Sequence, residues 1–202
     1  MSSRFFCSTF RINNSSSVLA YAYRPKEDQT KCELVLFTEK QTATTFVENL
    51  PPEQAARVTP MLESLPCSSQ DGLLRLSGPV AFTLAYCLEE FTQAPMNIGL
   101  PLKNQICFIW NPIEGVSSGG MVCLYLQDRG FELAVLPSRE QAIAWVDASK
   151  DLTQGQKELL VAKVGDWPAD PSHEEMEIID GLPAQILATA ALVFEKRKQQ
   201  VH

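Results

Sequence analysis

Two stretches that lie 99 residues apart decide the fold of this chain: "CELVLFTEKQTATTFV" (32–47) and "FELAVLPSREQAIAWV" (131–146). When Glu33 is placed on Glu132, four of fifteen positions are identical, and four more, at Val35, Leu36, Phe37 and Phe46, place an apolar residue on an apolar residue. In both stretches a short apolar run is followed by apolar residues at helical spacing. Each stretch therefore predicts a buried strand that leads into a helix with one apolar face.

The similarity extends outward from these two stretches. Upstream, "FFCSTFRI" (5–12) parallels "QICFIWNP" (105–112), and downstream "LSGPVAFTLAYCLEEF" (76–91) parallels "IDGLPAQILATAALVF" (179–194). Such internal similarity at a nearly fixed offset is typical of a repeated structural unit. The sequence therefore predicts a tandem duplication of a unit of about 100 residues, with one repeat in 1–100 and the other in 101–202.

Each repeat is predicted to contain three antiparallel strands followed by helices, because the connections between strands are too short for a parallel crossover. The predicted fold class is α+β, with the two repeats forming a pseudo-twofold intramolecular dimer packed as one globular unit. A lone three-stranded sheet with one buried face is marginally stable, which favours pairing of the two halves. Whether the halves meet through strands or through their final helices is left open.

Helix boundaries are predicted from capping residues. Capping boxes are expected where Thr38 precedes Gln41 and where Ser138 precedes Gln141. Pro60 should interrupt the second helix of the first repeat, because it lacks a backbone N–H. In the second repeat Thr153 is the predicted cap of that helix.

The final helix of each repeat is predicted to begin after Ser77 or Asp180, whose side chains can act as N-caps. Residues 79–88 are apolar almost all round, which indicates a buried helix. Ala81 and Ala85 in one helix, and the equivalent pair 184 and 188 in the other, would allow the two helices to approach closely.

Composition excludes several classes of function. The net charge is −7, with 8 basic against 10 acidic residues in 1–100 and 9 against 14 in 101–202. An acidic chain without a basic stripe makes nucleic acid an unexpected partner. The chain lacks an apolar run long enough to span a bilayer or to form the core of a signal peptide, so we expect no membrane association. The six cysteines are expected to be free thiols in a cytoplasmic protein.

No catalytic residue, metal site or cofactor is predicted. The cysteines form no C-x-x-C pair and only two histidines are present, so the paired soft ligands of a zinc site are missing. Neither of the glycine-rich phosphate-binding patterns, G-x-G-x-x-G and G-x-x-x-x-G-K-[ST], occurs in the sequence. Cys67, in an expected loop, and His173 are the most accessible candidates if the chain is an enzyme.

The residues 165–181, "GDWPADPSHEEMEIIDG", differ most in composition from the rest of the chain, since they carry six acidic residues and no lysine or arginine. Tryptophan is over-represented at binding interfaces. The predicted partner-binding residues combine these two signals, and they are Trp110, Trp167, Asp170, Glu174 and Glu175. The alternative interpretation is a solvated acidic linker.

The favoured hypothesis is a non-enzymatic protein-interaction module of the adaptor, chaperone-like or inhibitor/immunity type with a protein partner. The alternative is a small-molecule-sensing regulatory domain with a pocket between the two repeats. Tyr21, Tyr23 and Tyr125 could supply polar groups to that pocket, although cross-strand packing is the favoured role of each. An enzyme is the third hypothesis, and oligomeric state is left open.

Overall fold

The computed structural model describes residues 4–11, 17–25, 31–67, 72–93, 106–110, 121–127, 130–136, 138–150, 152–165 and 176–200. Eight strands lie in this part of the chain: β1 (Arg4–Arg11), β2 (Ser17–Arg24), β3 (Glu33–Phe37), β4 (Leu73–Ser77), β5 (Ile106–Trp110), β6 (Met121–Gln127), β7 (Gly130–Val135) and β8 (Glu177–Asp180). The α-helices there are α1 (Lys40–Glu48), α2 (Pro52–Val58), α3 (Gly78–Gln93), α4 (Arg139–Ala148), α5 (Gln154–Gly165) and α6 (Gly181–Gln200). The fold is therefore α+β, as the sequence predicts.

The strands form two four-stranded antiparallel sheets, in the orders β1-β2-β3-β4 and β5-β6-β7-β8. The prediction of three strands in each half is wrong, because β4 and β8 each add a fourth strand between the second and the last helix. Ser77 and Asp180, predicted as helix N-caps, are the last residues of these two strands.

A glycine at the junction of strand and helix makes this arrangement possible in both halves. Gly78 (φ 74°) and Gly181 (φ 71°) adopt left-handed backbone conformations and are the first residues of α3 and α6. A side chain would be strained in that region of backbone space. Each edge strand therefore turns directly into its helix without a loop.

The apolar side chains form layers on both faces of the sheets. Alternating β2 residues face opposite sides, so Val18, Ala20 and Ala22 pack toward α3 while Leu19 and Tyr21 pack toward α1 and α2. In the second sheet Leu133 and Val135 share the cluster of α3 and α6, and Ala134 packs with α4 and α5. We call the α3/α6 side of each sheet its inner face and the opposite side its outer face.

Helices α3 and α6 contact each other and share one buried cluster with the inner faces of both sheets. The predicted burial of 79–88 is confirmed for Val80 to Ala85, Cys87 and Leu88. Ala81 and Ala85 of α3, and Ala184 and Ala188 of α6, are almost completely buried in this cluster. Tyr86 meets Phe194 edge to face, with ring centroids 5.7 Å apart.

The predicted capping box is wrong in the first half. Helix α1 begins at Lys40 after the N-cap residue Glu39, one position later than predicted, and the Thr38 hydroxyl donates to the Gly72 carbonyl instead (3.2 Å). In the second half the backbone N–H of Gln141 donates to Ser138 Oγ (3.1 Å), which confirms Ser138 as the cap of α4. The prediction at Thr153 also holds, because its hydroxyl accepts from the N–H of Gln156 and its own N–H donates to the Gln156 side chain.

Pro60 lies where α2 gives way to a 3₁₀ helix, Thr59–Ser64, so the predicted interruption is confirmed. Without its backbone N–H, Pro60 cannot donate to the carbonyl of residue 56 as an α-helix requires. The 3₁₀ segment turns back over the outer face of the first sheet, where Leu62 is buried beside Val58.

Replacing Ser138 by alanine should destabilise the protein by about 1 kcal/mol, because the first turn of α4 loses the acceptor for the Gln141 N–H. Urea unfolding of the full chain measures this change. Ser138→Thr is the matched control, since it keeps an acceptor oxygen and should recover most of the stability. Equal losses in both variants would contradict the capping role.

Candidate partner-binding edges

The exposed large apolar side chains of this protein are concentrated on its edge strands. In the described residues, four such side chains are exposed, and three of them lie on or directly beside β4 and β8. Leu73 (45 % exposed) begins β4, Met176 (44 %) immediately precedes β8, and Ile178 (48 %) lies within it. The fourth, Leu159 (71 %), is on α5. Met176 and Ile178 are neighbours on one edge, and adjacent exposed apolar residues mark an interaction site more strongly than single ones do.

The register relates the two edges to one another. Leu34 pairs with Leu76 across β3 and β4, and Leu133 pairs with Ile179 across β7 and β8. Counting back from Leu76 and Ile179 places Leu73 and Met176 at equivalent positions. Both edges thus carry a large exposed apolar residue at the same structural position.

The β4 edge consists of Leu73, Arg75 and Ser77, which alternate along the outer face of the first sheet. Arg75 is paired with Glu33 on the neighbouring strand, with Nε and Oε1 3.3 Å apart. Both side chains of this ion pair are substantially exposed, so the pair contributes little to stability. It does balance the charge of this edge.

The β8 edge consists of Met176, Ile178 and Asp180, which alternate in the same way on the second sheet. Asp180 lies directly across from Glu132 on β7, so two carboxylates are cross-strand neighbours. Ile178 occupies the position that Arg75 holds on the β4 edge. Glu177 lies between Met176 and Ile178 in the chain, and its partial burial raises the pKa of its carboxyl.

In the part of the chain that the structure describes, β4 and β8 are each the last strand of their sheet. An edge strand has backbone N–H and C=O groups that pair with no neighbouring strand on one side, and these can accept another chain. Both edges combine this backbone with exposed apolar side chains. Chemically, they are suited to bind an extended peptide segment by strand addition.

An aromatic cluster covers part of the outer face of the first sheet. The Arg57 guanidinium lies over the Phe5 ring at 4.8 Å, and Phe5 and Phe46 both contact Tyr21. Tyr21 Oη donates to Gln54 Oε1 at 2.9 Å. Burial, followed by the nearby Glu33 carboxylate, raises the pKa of Tyr21 to about 12.

Tyr21 and Tyr23 therefore pack with α1 and α2 and do not face the layer between the two sheets. Their predicted role as polar groups of a pocket between the repeats is wrong for this reason. For Tyr125 the structure gives only a backbone position in β6, paired with Ile106 and Glu132.

Two adjacent glutamates near the end of α3 bind arginines from different parts of the chain. Arg24, the last residue of β2, is paired with Glu89, with side chains only 8 % and 13 % exposed. Its guanidinium also lies over the Phe82 ring at 5.4 Å. Arg197 of α6 donates to the Glu90 carbonyl oxygen at 3.0 Å. These contacts orient α3 against the first sheet and against α6.

The described cysteines are free thiols in different environments. Burial raises the pKa of the Cys32 thiol from 9.0 to about 12, and burial also raises the pKa of Cys7. A nucleophilic cysteine requires the opposite shift. Cys67 is exposed on its loop, as predicted. Among the described residues, no group of three or more histidine, cysteine, aspartate or glutamate side chains is arranged to hold a metal ion.

The raised pKa values predict that the protein loses stability at alkaline pH. The folded state holds the Cys32 proton more tightly than the unfolded state, so this contribution is complete below pH 9 and is lost as pH rises toward 12. By pH 10.5 the loss from Cys32 should reach about 2 kcal/mol. Tyr21 acts in the same direction above pH 10.

Urea unfolding of wild type and Cys32→Ala at pH 8.0 and pH 10.5 tests this prediction. Cys32→Ala differs from wild type in its free energy of unfolding at any pH. The quantity compared is therefore the change in the free energy of unfolding between pH 8.0 and pH 10.5. The variant should lose clearly less stability over this interval than wild type. An identical pH dependence in both proteins would exclude Cys32 as a cause.

Of the five sequence-predicted partner-binding residues, only Trp110 lies in the part of the chain that the structure describes. Trp110 ends β5 and pairs with Met121, although its side chain is not among those described. Trp167, Asp170, Glu174 and Glu175 lie outside the described residues, as does His173. Glu174 and Glu175 directly precede Met176 in sequence, so this predicted segment leads into the β8 edge.

Sequence reasoning missed Leu73, Met176 and Ile178 as surface residues. A signal was present in "LLRLS" (73–77), where Leu74 and Leu76 alternate with Arg75 and Ser77, but "EIID" (177–180) contains two adjacent isoleucines and shows no alternation. In the described residues no helix is long and apolar enough to cross a membrane. No protein-family model, no curated protein and no solved structure matches this chain.

Proposed function

We propose that this protein is a non-enzymatic protein-interaction module that recognises extended segments of its partners along the β4 and β8 edges. The observation that carries the proposal is the position of the exposed apolar side chains: Leu73, Met176 and Ile178 lie on sheet edges, where strand addition is possible. An adaptor, a chaperone-like protein or an inhibitor/immunity-type protein would each use such edges.

The proposal includes a tandem duplication with a pseudo-twofold relation between the halves. Its support is the matching order of elements and the matching register, in which Glu33 pairs with Ser77 and Glu132 pairs with Asp180. A left-handed glycine follows the edge strand in each half. Duplication would give the protein two related edges whose side chains have since diverged.

The predicted partner-binding residues fit the same proposal. Asp170, Glu174 and Glu175 would extend the acidic character of the β8 edge toward its N-terminal side, and Trp167 would add an aromatic anchor. A cytoplasmic location is part of the proposal and is supported by the free thiols at Cys7, Cys32, Cys67 and Cys87.

Selection of a random peptide library displayed on yeast against the full chain tests the proposed function. Enriched peptides should bind wild type, while binding to Leu73→Lys or Ile178→Lys should fall at least about tenfold, which corresponds to 1.4 kcal/mol. Leu159→Lys is the matched control, since it introduces the same charge at an exposed leucine on α5 and should bind normally.

The proposed function would be overturned if selection yields no ligand, or if every ligand binds both edge variants as well as wild type. Because Leu73 and Ile178 are exposed, each variant should retain the thermal unfolding midpoint of wild type to within a few degrees. That measurement separates loss of binding from loss of folding.

A further inference from the structure

The backbone hydrogen bonds at the two ends of β4 show which of its residues face the open edge of the sheet. At one end the Thr38 N–H donates to the Gly72 carbonyl (3.1 Å), and at the other end the Gly78 N–H donates to the Cys32 carbonyl (2.9 Å). Both bonds continue the antiparallel register of β3 and β4. In such a pair, positions that are hydrogen-bonded to the neighbouring strand alternate with positions that are not.

The backbone groups on the open side of β4 therefore belong to Leu73, Arg75 and Ser77. Counting in steps of two from Gly72 to Gly78, the even-numbered residues direct their N–H and C=O groups toward β3, and the odd-numbered residues direct theirs away from it. Side chains alternate with the same period, so the same three residues carry the outer-face side chains of this strand. The phase of any strand added to this edge is thereby fixed.

The apolar layers on both faces of the first sheet reach this edge at the same end of β4. Leu73 pairs with Phe37, which is buried in the outer cluster, while Leu73 itself is 45 % exposed. The next residue, Leu74, pairs with Leu36 of the inner cluster and is only partly buried against it. Two consecutive leucines thus leave apolar surface open at the edge, one on each face.

The other end of the edge is polar. Arg75 is engaged by Glu33, with Nε and Oε1 3.3 Å apart, and Ser77 is exposed. Leu76, between them, is buried on the inner face. A bound segment would form backbone hydrogen bonds along the whole edge but would gain apolar contact chiefly beside Leu73 and Leu74.

We propose that the β4 edge selects an extended partner segment with two consecutive apolar residues, one beside Leu74 on the inner face and the next opposite Leu73 on the outer face. This inference rests on the proposed function and adds the chemistry of the partner at one of the two edges. The segment runs antiparallel to β4, as the other neighbouring strands of this sheet do. Its residue opposite Leu73 needs a backbone N–H for the hydrogen bond, whereas the residue beside Leu74 directs its N–H to solvent.

A second copy of this chain fits the edge less well. If two β4 strands pair about a twofold axis and overlap over most of their length, Leu73 lies opposite Arg75 or Ser77 of the other copy. Neither register covers Leu73 with an apolar side chain. The register that places Leu73 on Leu73 leaves the rest of both strands unpaired. Self-association is accordingly treated as an outcome of the experiment.

Two synthetic peptides of the same composition provide the probes. Both are threonine peptides with two valines, which are adjacent in one peptide and separated by one threonine in the other. Separated valines lie on one face of a strand, so they cannot cover Leu73 and Leu74 together. Fluorescence anisotropy with the full chain should show binding of the adjacent-valine peptide, with affinity at least about fivefold higher than for the separated-valine peptide.

Backbone methylation provides the decisive comparison. In an antiparallel segment the first valine lies beside Leu74 and the second lies opposite Leu73, so only the second uses its N–H. N-methylation of the second valine should weaken binding at least about tenfold, and N-methylation of the first should change it by no more than about twofold. Leu73→Ala should remove most of the preference for adjacent valines, and Leu159→Ala should leave it unchanged. Equal sensitivity at the two valines, the reverse order, or no binding of either parent peptide would overturn the inference.

The failure of this inference is distinguishable from failure of the proposed function. Library-selected ligands that depend on Leu73 but contain no adjacent apolar residues would refute the partner chemistry and leave the proposed function intact. Ligands that depend on neither Leu73 nor Ile178 would refute both. Concentration-dependent self-association in sedimentation velocity that Leu73→Lys abolishes would replace the partner segment with a second copy of the chain.

Discussion

Replacing Arg24 by methionine should destabilise the protein by about 3–5 kcal/mol, which is the usual cost of leaving one member of a buried ion pair behind. The Arg24 and Glu89 side chains are 8 % and 13 % exposed and lie 2.5 Å apart at their nearest atoms. Methionine keeps much of the contact with Phe82 but removes the arginine from beside the Glu89 carboxylate, which stays in a largely buried position. Urea unfolding of the full chain measures the loss.

The position of Arg24 in the sheet explains why it is buried. Val18, Ala20, Ala22 and Arg24 alternate along the inner face of β2, so the arginine is directed toward α3 with the three apolar residues. Phe82 and Glu89 are two helical turns apart on α3, and Arg24 contacts both. The ion pair thereby fixes the position of α3 along the sheet. The position of the β4 edge depends on that of α3, because β4 runs directly into this helix.

Two further variants test this interpretation. The double variant Arg24→Met/Glu89→Gln should be more stable than Arg24→Met alone, because the buried charge is removed together with its partner. Arg75→Met breaks an arginine–glutamate pair that is exposed and should cost only about 0–1 kcal/mol. Equal costs for Arg24→Met and Arg75→Met would show that burial does not determine the strength of the first pair.

Local sequence signals predict most strands and helices of this protein. The run from Glu33 to Phe37 and its counterpart at 132–136 predict strands through their apolar residues. Ser138 caps α4 and Pro60 interrupts the second helix of the first half, as the side-chain hydroxyl and the missing backbone N–H predict. Thr38 shows the limit of such signals. Its hydroxyl finds a distant acceptor, the Gly72 carbonyl, so the helix starts one residue later than the capping pattern indicates.

The candidate site depends on information that local sequence does not carry. β4 and β8 are only five and four residues long and run into helices without a loop, so they resemble helix caps in the sequence. Their importance comes from being last in their sheets, which is decided by the pairing of β4 with β3 and of β8 with β7. In the same way, Arg24 and Glu89 are separated by 65 residues, and no periodicity predicts that they meet.

Replacing Leu187 by alanine should destabilise the protein by about 2–5 kcal/mol, because it creates a cavity in a fully buried part of α6. Leu187 belongs to the cluster shared by α3, α6 and the inner faces of both sheets. If this cluster joins the halves energetically, the cavity should lower the stability of residues in 1–100 as much as that of residues in 101–202.

Different probes report on the two halves during urea unfolding. All three tryptophans lie in 101–202, so their fluorescence follows the second half, while labelling of the buried thiols Cys32 and Cys87, resolved by mass spectrometry, follows the first. In Leu187→Ala both midpoints should move together to lower urea concentration. Leu159→Ala removes the same atoms from an exposed leucine and should change stability by no more than about 0.5 kcal/mol. A shift in tryptophan fluorescence alone would mean that the halves unfold independently, and the β4 and β8 edges would then belong to two separate binding units rather than to one cooperative scaffold.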